Sequence, residues 1–411
     1  MVSAQTTDDS GIEQDAILDS DIRFSLPVSK FALNPRAIFL TGATGLLGAY
    51  LLDEMLRESD AVIYCLIRAE NESIALRRLI SHLESYGLWR AGYAPRVVPV
   101  VGDLAEPRFG LGRERYEELA DAVDVIFHSA GWINMFYPYS RLKPTNVNGV
   151  LEALRFAAHG QTKPFHFVSS VAIFYSDVYP SGRVLTESAL PEYHASLKGG
   201  YGKSKWVADR LVAAAQKRGL PASIYRPIRI MGHSRSGALN DTTEILPQLL
   251  KACIKMGRYP AWNIEVTLVP VDYISRSMVH LAKSSANWGK AFHFFNRHPI
   301  RWRDLMEIFV EHGYPMTEMP CDQWRQELKS HATSTHSGNQ EDKQLYSKLM
   351  LALVMPHYLF YQRPPFDTGN IDEALRDSDI FCPPVDESLI ARYISYWQAS
   401  GFLPAPIAAV A

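Results

Sequence analysis

From residue 36 to about residue 230, short and nearly unbroken apolar runs alternate with longer stretches of helical periodicity. AIFL (37–40), AVIYCLI (61–67), RVVPVVG (96–102), DVIFHSA (124–130), FHFVSS (165–170) and ASIYRP (222–227) are rich in β-branched and aromatic residues. They lack the polar alternation of a half-exposed strand. Strands buried on both faces read this way, and helical crossovers between them make neighbours parallel. GVLEALRFAAHG (149–160) and KSKWVADRLVAAAQKRGLP (203–221) repeat apolar positions at helical spacing, each with a glycine near its end as a stop. The pattern predicts an α/β fold with a doubly wound parallel sheet over residues 36–230.

Beyond residue 230 the alternation fades. Residues 231–300 mix loop, helix and one further strand, AFHFF (291–295), expected to return to the sheet. From Trp302 the pattern is mainly helical, and the polar stretch SHATSTHSGNQEDKQ (330–344) is expected to be a mobile loop. Residues 231–411 are therefore expected to form a smaller, mainly helical substrate-binding domain that caps the sheet. Residues 1–35, polar and without periodicity, are expected to be a lead-in or linker.

Composition narrows the class. With 411 residues, 47% of them hydrophobic, the chain has ample material for a large core and a smaller second unit. A formal net charge of −2 with no basic stripe gives nucleic acid or a membrane surface nothing to hold. Four scattered cysteines form no CxxC pair, so neither a disulfide framework nor a metal site is expected. The polar opening has no apolar signal core, and the longest apolar stretch, LMLALVMPHYLFY (349–361), is too short to span a bilayer. A cytoplasmic monomer is the expectation.

Chemistry enters at LTGATGLLGAYLLDEML (40–56), directly after the first strand. Gly42, Gly45 and Gly48, with Thr41, Thr44 and Leu46 between and beside them, open a helix. Glycines at that spacing allow a tight turn and a close approach of backbone N–H groups to a pyrophosphate. The helix N-terminus adds a complementary partial positive charge. A dinucleotide site for NAD usually ends the second strand in a carboxylate, but this strand ends in Arg68. A guanidinium grips a ribose 2′-phosphate that a carboxylate would repel, so Arg68 argues for NADPH, with Arg78 as a second contact. Asp103 and Leu104 follow the third strand, where Asp103 either accepts from the adenine amino group or forms the turn. Ser129 and Ala130 follow the fourth, small enough for the backbone to pass close to a cofactor. His128 reads as a satisfied core histidine.

A proton donor is still needed, because reducing a carbonyl leaves an alkoxide. The tyrosine–lysine spacing Tyr201-Gly-Lys-Ser-Lys205 puts both side chains on one helical face, where an ammonium can stabilise a phenolate. Tyr139 and Lys143 repeat the spacing, so spacing alone does not decide. Position does: Tyr201 follows the strand ending in Ser169 and Ser170, at the sheet edge where ligands bind, whereas Tyr139 precedes it. Pro144 follows Lys143 at once, so no sustained helix need carry the first pair. Lys203 is expected to face solvent. Ser170, Tyr201 and Lys205 are the candidate catalytic set, and Ser170 would hold the carbonyl oxygen.

TGATGLLG (41–48), Ser170 and YGKSK (201–205) resemble the extended short-chain dehydrogenase/reductases. YCLIRAENESIALRRL (64–79), VDVIFHSAGWINMFYPYSRLKPTNVNG (123–149), GGYGKSKWVADRLVAAAQKRGLPASIYRP (199–227) and TLVPVDYIS (267–275) are similar to the terminal thioester reductase domain of nonribosomal peptide and polyketide synthetases. FDTGN (366–370) and the stretch 381–404 extend that similarity to the C-terminal end. The resemblance implies NADPH-dependent reductive release of an acyl or peptidyl chain from a phosphopantetheinyl carrier protein, giving an aldehyde that some members reduce again to an alcohol. It assigns Ser170, Tyr201 and Lys205 to the family's Ser/Thr-Tyr-Lys positions, Asn146 to a positioning role, and carrier docking to the C-terminal region. SAGWIN (129–134) departs from the family's small residues, and Val150 replaces a common threonine. Trp132, Met135 and Phe136 are candidate walls of an apolar substrate pocket. The rivals are a reductase of free carbonyls or acyl-CoA on the same scaffold, a redox-inactive Dieckmann-type release domain, and a non-catalytic NADP-sensing protein. Hydrolytic release is disfavoured, because no G-x-S-x-G elbow occurs.

Overall fold

Seven of the predicted apolar runs pair as one sheet. They are β1 (Ala37–Thr41), β2 (Val62–Ile67), β3 (Val97–Val101), β4 (Val125–His128), β5 (Phe165–Val168), β6 (Ala222–Pro227) and β7 (Ala291–Phe294). The computed structural model describes residues 11–179, 182–193, 195–239, 244–333, 340–354 and 365–406. The sheet order is β3-β2-β1-β4-β5-β6-β7, and every pair within it is parallel. All residues of β1, β4, β5 and β6 are buried, which is why their sequences carry no polar alternation. Chain order reverses between β1 and β4, and in a doubly wound sheet that switch point opens the crevice for a ligand.

The helices that cover this sheet are α1 (Leu46–Glu58), α2 (Glu72–Ser85), α3 (Arg113–Ala122), α4 (Gly149–Ala158), α5 (Gly199–Lys217) and α6 (Val271–Ala282). α1 packs against α6, and α4 against α5. Phe39, Phe109, Tyr116 and Phe156 meet in a tilted aromatic cluster beneath β1, with ring centroids 4.9–6.0 Å apart.

The chain forms two compact units: Met1–Ile228 with Val271–Phe295 and Arg363–Phe381, and Arg229–Pro270 with Asn296–Gln362 and Cys382–Ala411. The first takes in more chain than the sequence divides off. Residues 11–35 are no free linker: Ile12, Leu18, Ile22 and Phe24 are buried. Thr162 donates its backbone N–H to the Pro27 carbonyl and its hydroxyl to that of Leu26. α6 and the segment around Phe366 also belong to the sheet unit, because α6 buries Ile274, Met278 and Leu281 while Phe366 packs on Phe174 and His293.

The second unit is mainly helical, with Ile245–Met256, Trp302–Glu311, Cys321–Thr333, Gln340–Val354 and Glu387–Ala399 around three short strand pairs. Trp302, Trp324 and Trp397 are its largest buried side chains. The indole N–H of Trp302 donates to the Pro260 carbonyl and that of Trp324 to Arg258, so their burial leaves those donors satisfied. Helix occupies both ends of the stretch expected to be a loop, 330–333 and 340–344; its centre lies outside the described residues. No helix among the described residues is long and apolar enough to cross a membrane.

Candidate active site

The glycine loop sits at the switch point. Gly42 has φ +82°, and a Cβ there would lie 2.7 Å from the Ala130 backbone nitrogen after β4. A Cβ on Gly48 would lie 1.9 Å from the Gly42 carbonyl oxygen, so glycine lets α1 start tight against the turn. Gly45 differs: its φ of −102° suits any residue, and a Cβ would meet only that same carbonyl at 3.4 Å. Packing within the chain does not demand glycine at 45, whereas a pyrophosphate lying on the first turn of α1 would. The residues fit a dinucleotide by this test. Thr41 ties the crevice together, its hydroxyl accepting from Ala130 N–H at 3.2 Å and meeting His128 Nδ1 at 3.3 Å.

Arg68, Arg78 and Asp103 converge at the far end of the loop's strand neighbours. Arg78 donates to the Arg68 carbonyl at 2.6 Å, and the exposed Arg68 guanidinium lies 4.0 Å from Asp103. Asp103 also accepts from Ala105 N–H at 2.9 Å, so its carboxylate shapes the turn after β3. Leu104 is buried against the start of α4.

α5 brings Tyr201 and Lys205 to the ends of β4 and β5. Both are buried. Lys205 Nζ donates to the Val168 carbonyl at 2.8 Å and would lie 3.3 Å from a Cβ on Gly131. Burial disfavours the ammonium and pulls its pKa down to about 8, with Asp209 opposing the shift. Ser170 ends the strand extension and caps the short helical turn Val171–Phe174, accepting from Ala172 N–H at 3.1 Å. Asn146 joins two pieces of the site. Its amide accepts from Trp132 N–H at 2.6 Å and donates to the Trp132 carbonyl at 3.1 Å and to Ser204 Oγ at 3.0 Å. Ser204 in turn donates to the Tyr201 carbonyl at 2.9 Å. Asn146 reaches this position from a five-residue π-turn, Pro144–Asn148.

Three expectations change. Lys203 is buried rather than solvent-facing, because residues 201–209 of α5 are enclosed on every side. Tyr139 and Lys143 do lie on a helical run, which continues through Pro144 to Ala158. Proline's φ of −55° suits a helix, and the wide turn behind it absorbs the disturbance. Their partner is Asp15, which accepts from Tyr139 Oη and Lys143 Nζ at 2.7 Å each. His128 is a core residue held neutral by burial, its pKa near 3, yet its Nε2 has no hydrogen-bond partner among the described residues. Trp132 lies at the surface with its edge against Tyr137 at 5.1 Å, and Met135 and Phe136 are half-buried. Sequence reasoning missed Ser204, whose only signal is its place between Tyr201 and Lys205, and Asp209, one turn beyond Lys205.

A doubly wound sheet, a glycine loop at its switch point and a buried Tyr–Lys helix beside it define the class: an NAD(P)-dependent reductase of the extended short-chain type. An NAD-binding family model described as "Male sterility protein" matches residues 40–278. The crystal structure of the terminal R domain from the myxalamid PKS-NRPS biosynthetic pathway is 38% identical, with TM-score 0.88 over 96% of this chain and 98% of that one. A linear gramicidin synthase protein of Brevibacillus parabrevis is 34% identical across 97% of this chain, which spans only 8% of that protein's length. A thiolation-reductase di-domain from an archaeal non-ribosomal peptide synthetase, 21% identical, has the same fold, with TM-score 0.73 over 97% of this chain and 84% of that one. The chain belongs to the terminal reductase domains of nonribosomal peptide and polyketide synthetases.

Proposed function

We propose that the chain reduces an acyl or peptidyl thioester, carried on the phosphopantetheine arm of a carrier protein, to an aldehyde, and that NADPH is the reductant. The observation that carries the reading is the lacing of α5 to the ends of β4 and β5 beside the glycine loop, through Lys205 and Asn146. Bound NADPH would supply hydride to the thioester carbonyl carbon. The chain's own part is to hold the carbonyl oxygen and deliver a proton to it; the resulting hemithioacetal then breaks its C–S bond, giving the aldehyde and returning the hydroxyl proton with the pantetheine thiol that stays on the carrier. Ser170 holds the oxygen from the strand end, Tyr201 donates the proton, and the Lys205 ammonium favours the phenolate left behind. Excluding water from this corner, where Lys205 is buried, strengthens each of these interactions.

Arg68 supports the choice of NADPH, since its guanidinium stands exposed where β2 ends, 4.0 Å from Asp103 and free to reach a 2′-phosphate. The carrier partner is supported by the thiolation domain that the archaeal relative joins to its reductase. Incubation with NADPH and a panel of carrier-loaded acyl chains, followed by mass spectrometry, tests the proposal. Aldehyde or alcohol product from carrier-bound thioesters in preference to coenzyme A thioesters and free carbonyls is expected, and the opposite preference would overturn it. Arg68→Ala is expected to weaken NADPH far more than NADH.

A further inference from the structure

α5 meets the end of β5 through two side chains one helical turn apart. Lys205 holds the Val168 carbonyl, and Asp209 accepts from the next residue, Ser169 Oγ, at 2.6 Å. Ser170 follows at once. The Asp209 carboxylate is also gripped by the fork of Arg226 on β6, with Nε to Oδ2 at 2.9 Å and Nη2 to Oδ1 at 2.8 Å. Both side chains are almost wholly buried. The remaining arm of Arg226 donates to the carbonyls of Glu187 and Ala189 at 3.0 Å each, in the long connection between Ser170 and Tyr201. One carboxylate thus joins two strand ends and a helix, and its partner cation pins the loop between the two candidate catalytic segments.

We infer that Asp209 is a positioning residue of the reduction: it holds the helix bearing Tyr201 and Lys205 in register with the strand end bearing Ser170, and keeps a counter-charge beside Lys205. The inference rests on the reading of Tyr201 and Lys205 as the proton relay. A buried ion pair by itself is weak evidence for more than folding. Here the same carboxylate also takes a hydroxyl from the residue next to Ser170, which folding of the pair does not require. Among the described residues, Lys205 is faced by Asp209 one turn on along its own helix and by His128 at the end of β4, with Arg226 of β6 behind Asp209 and Tyr201 one turn before it. His128 is neutral, so Asp209 is the anion that supports the ammonium against burial.

The test compares pH–rate profiles of the wild-type protein, Asp209→Asn and Ser169→Ala, with NADPH and a carrier-bound acyl thioester. Asp209→Asn keeps the shape but loses the charge. It is expected to lower kcat about tenfold and move the alkaline limb down by about one pH unit. KM for NADPH should stay within about twofold, because the glycine loop and Arg68 are untouched. Ser169→Ala, which leaves the ion pair intact, is expected to lower kcat about threefold with the limb unmoved. A folded Asp209→Asn protein with an unmoved limb overturns the inference. Should that variant not fold, Ser169→Ala decides, and a wild-type kcat in it overturns the inference as well. Lys205→Met with wild-type kcat would instead defeat the relay reading itself, whereas an inactive Lys205→Met beside a normal Asp209→Asn defeats only the role given to Asp209.

Discussion

Two tyrosine–lysine pairs share one spacing, both lie on helices, and both tyrosines are buried, yet they are built for different ends. Asp15 accepts a hydrogen bond from the Tyr139 phenol and an ion pair from Lys143 on one carboxylate, and burial together with that anion pushes the Tyr139 pKa well up. In the second pair Lys205 donates to a carbonyl oxygen, and among the described residues no carboxylate takes a direct hydrogen bond from its ammonium. The first pair is a clamp for the N-terminal segment; the second, tied to a strand-end carbonyl through Lys205, is the pair the proposed reduction uses. The difference is made by what lies opposite the pair rather than by the pair.

The comparison can be broken most sharply with tyrosine hydroxyls. Tyr201→Phe is expected to lower kcat by about 10²–10⁴-fold with NADPH binding unchanged by titration, while Tyr139→Phe leaves kcat within about twofold. Equal losses in the two variants would end the distinction. Next comes the pH profile. With the Lys205 pKa near 8, the ammonium is present below that pH and lost above it, so kcat should fall as pH rises through about 8. The Tyr139→Phe protein should keep the same limb. Denaturant unfolding reads the clamp: losing the Tyr139 hydroxyl, a donor to a carboxylate, is expected to cost about 1.5 kcal/mol. The smallest effect belongs to Lys143→Met, whose side chain is 38% exposed and therefore screened, at under about 1 kcal/mol.

Much of this is open to a reader of the sequence. β1, β4, β5 and β6 announce themselves because burial on both faces removes polar alternation, and the glycine loop follows β1 without a gap. The candidate residues Thr41, Gly42, Ser129 and Ala130 come together because the switch point sets β1 beside β4. What stays hidden depends on distant partners. Ile12, Leu18, Ile22 and Phe24 are too sparse among polar neighbours to mark a packed segment, and the carbonyls of Leu18, Asp19 and Ile22 are capped by Arg218, far along the chain. Lys203 points outward only if α5 has an outer face, and its first half has none. The segment around Phe366 joins the sheet-bearing unit through an isolated bridge to Leu185, which accepts from Asp367 N–H at 2.9 Å, and no local pattern records that.

The wide turn at Pro144–Asn148 has a consequence for how this chain can change. The Gly149 N–H reaches back five residues to the Pro144 carbonyl, so the run from Tyr139 to Ala158 is a splice of two helices out of phase. Deleting one residue there would return the run to regular i→i−4 spacing, so the flanking turns keep their faces while the wide turn that carries Asn146 is lost. Tyr139 and Lys143 would then stay on Asp15 while Asn146 lost its register with Trp132 and Ser204. Loops usually absorb insertions and deletions; here a stretch of helix is the place where the count of residues cannot vary.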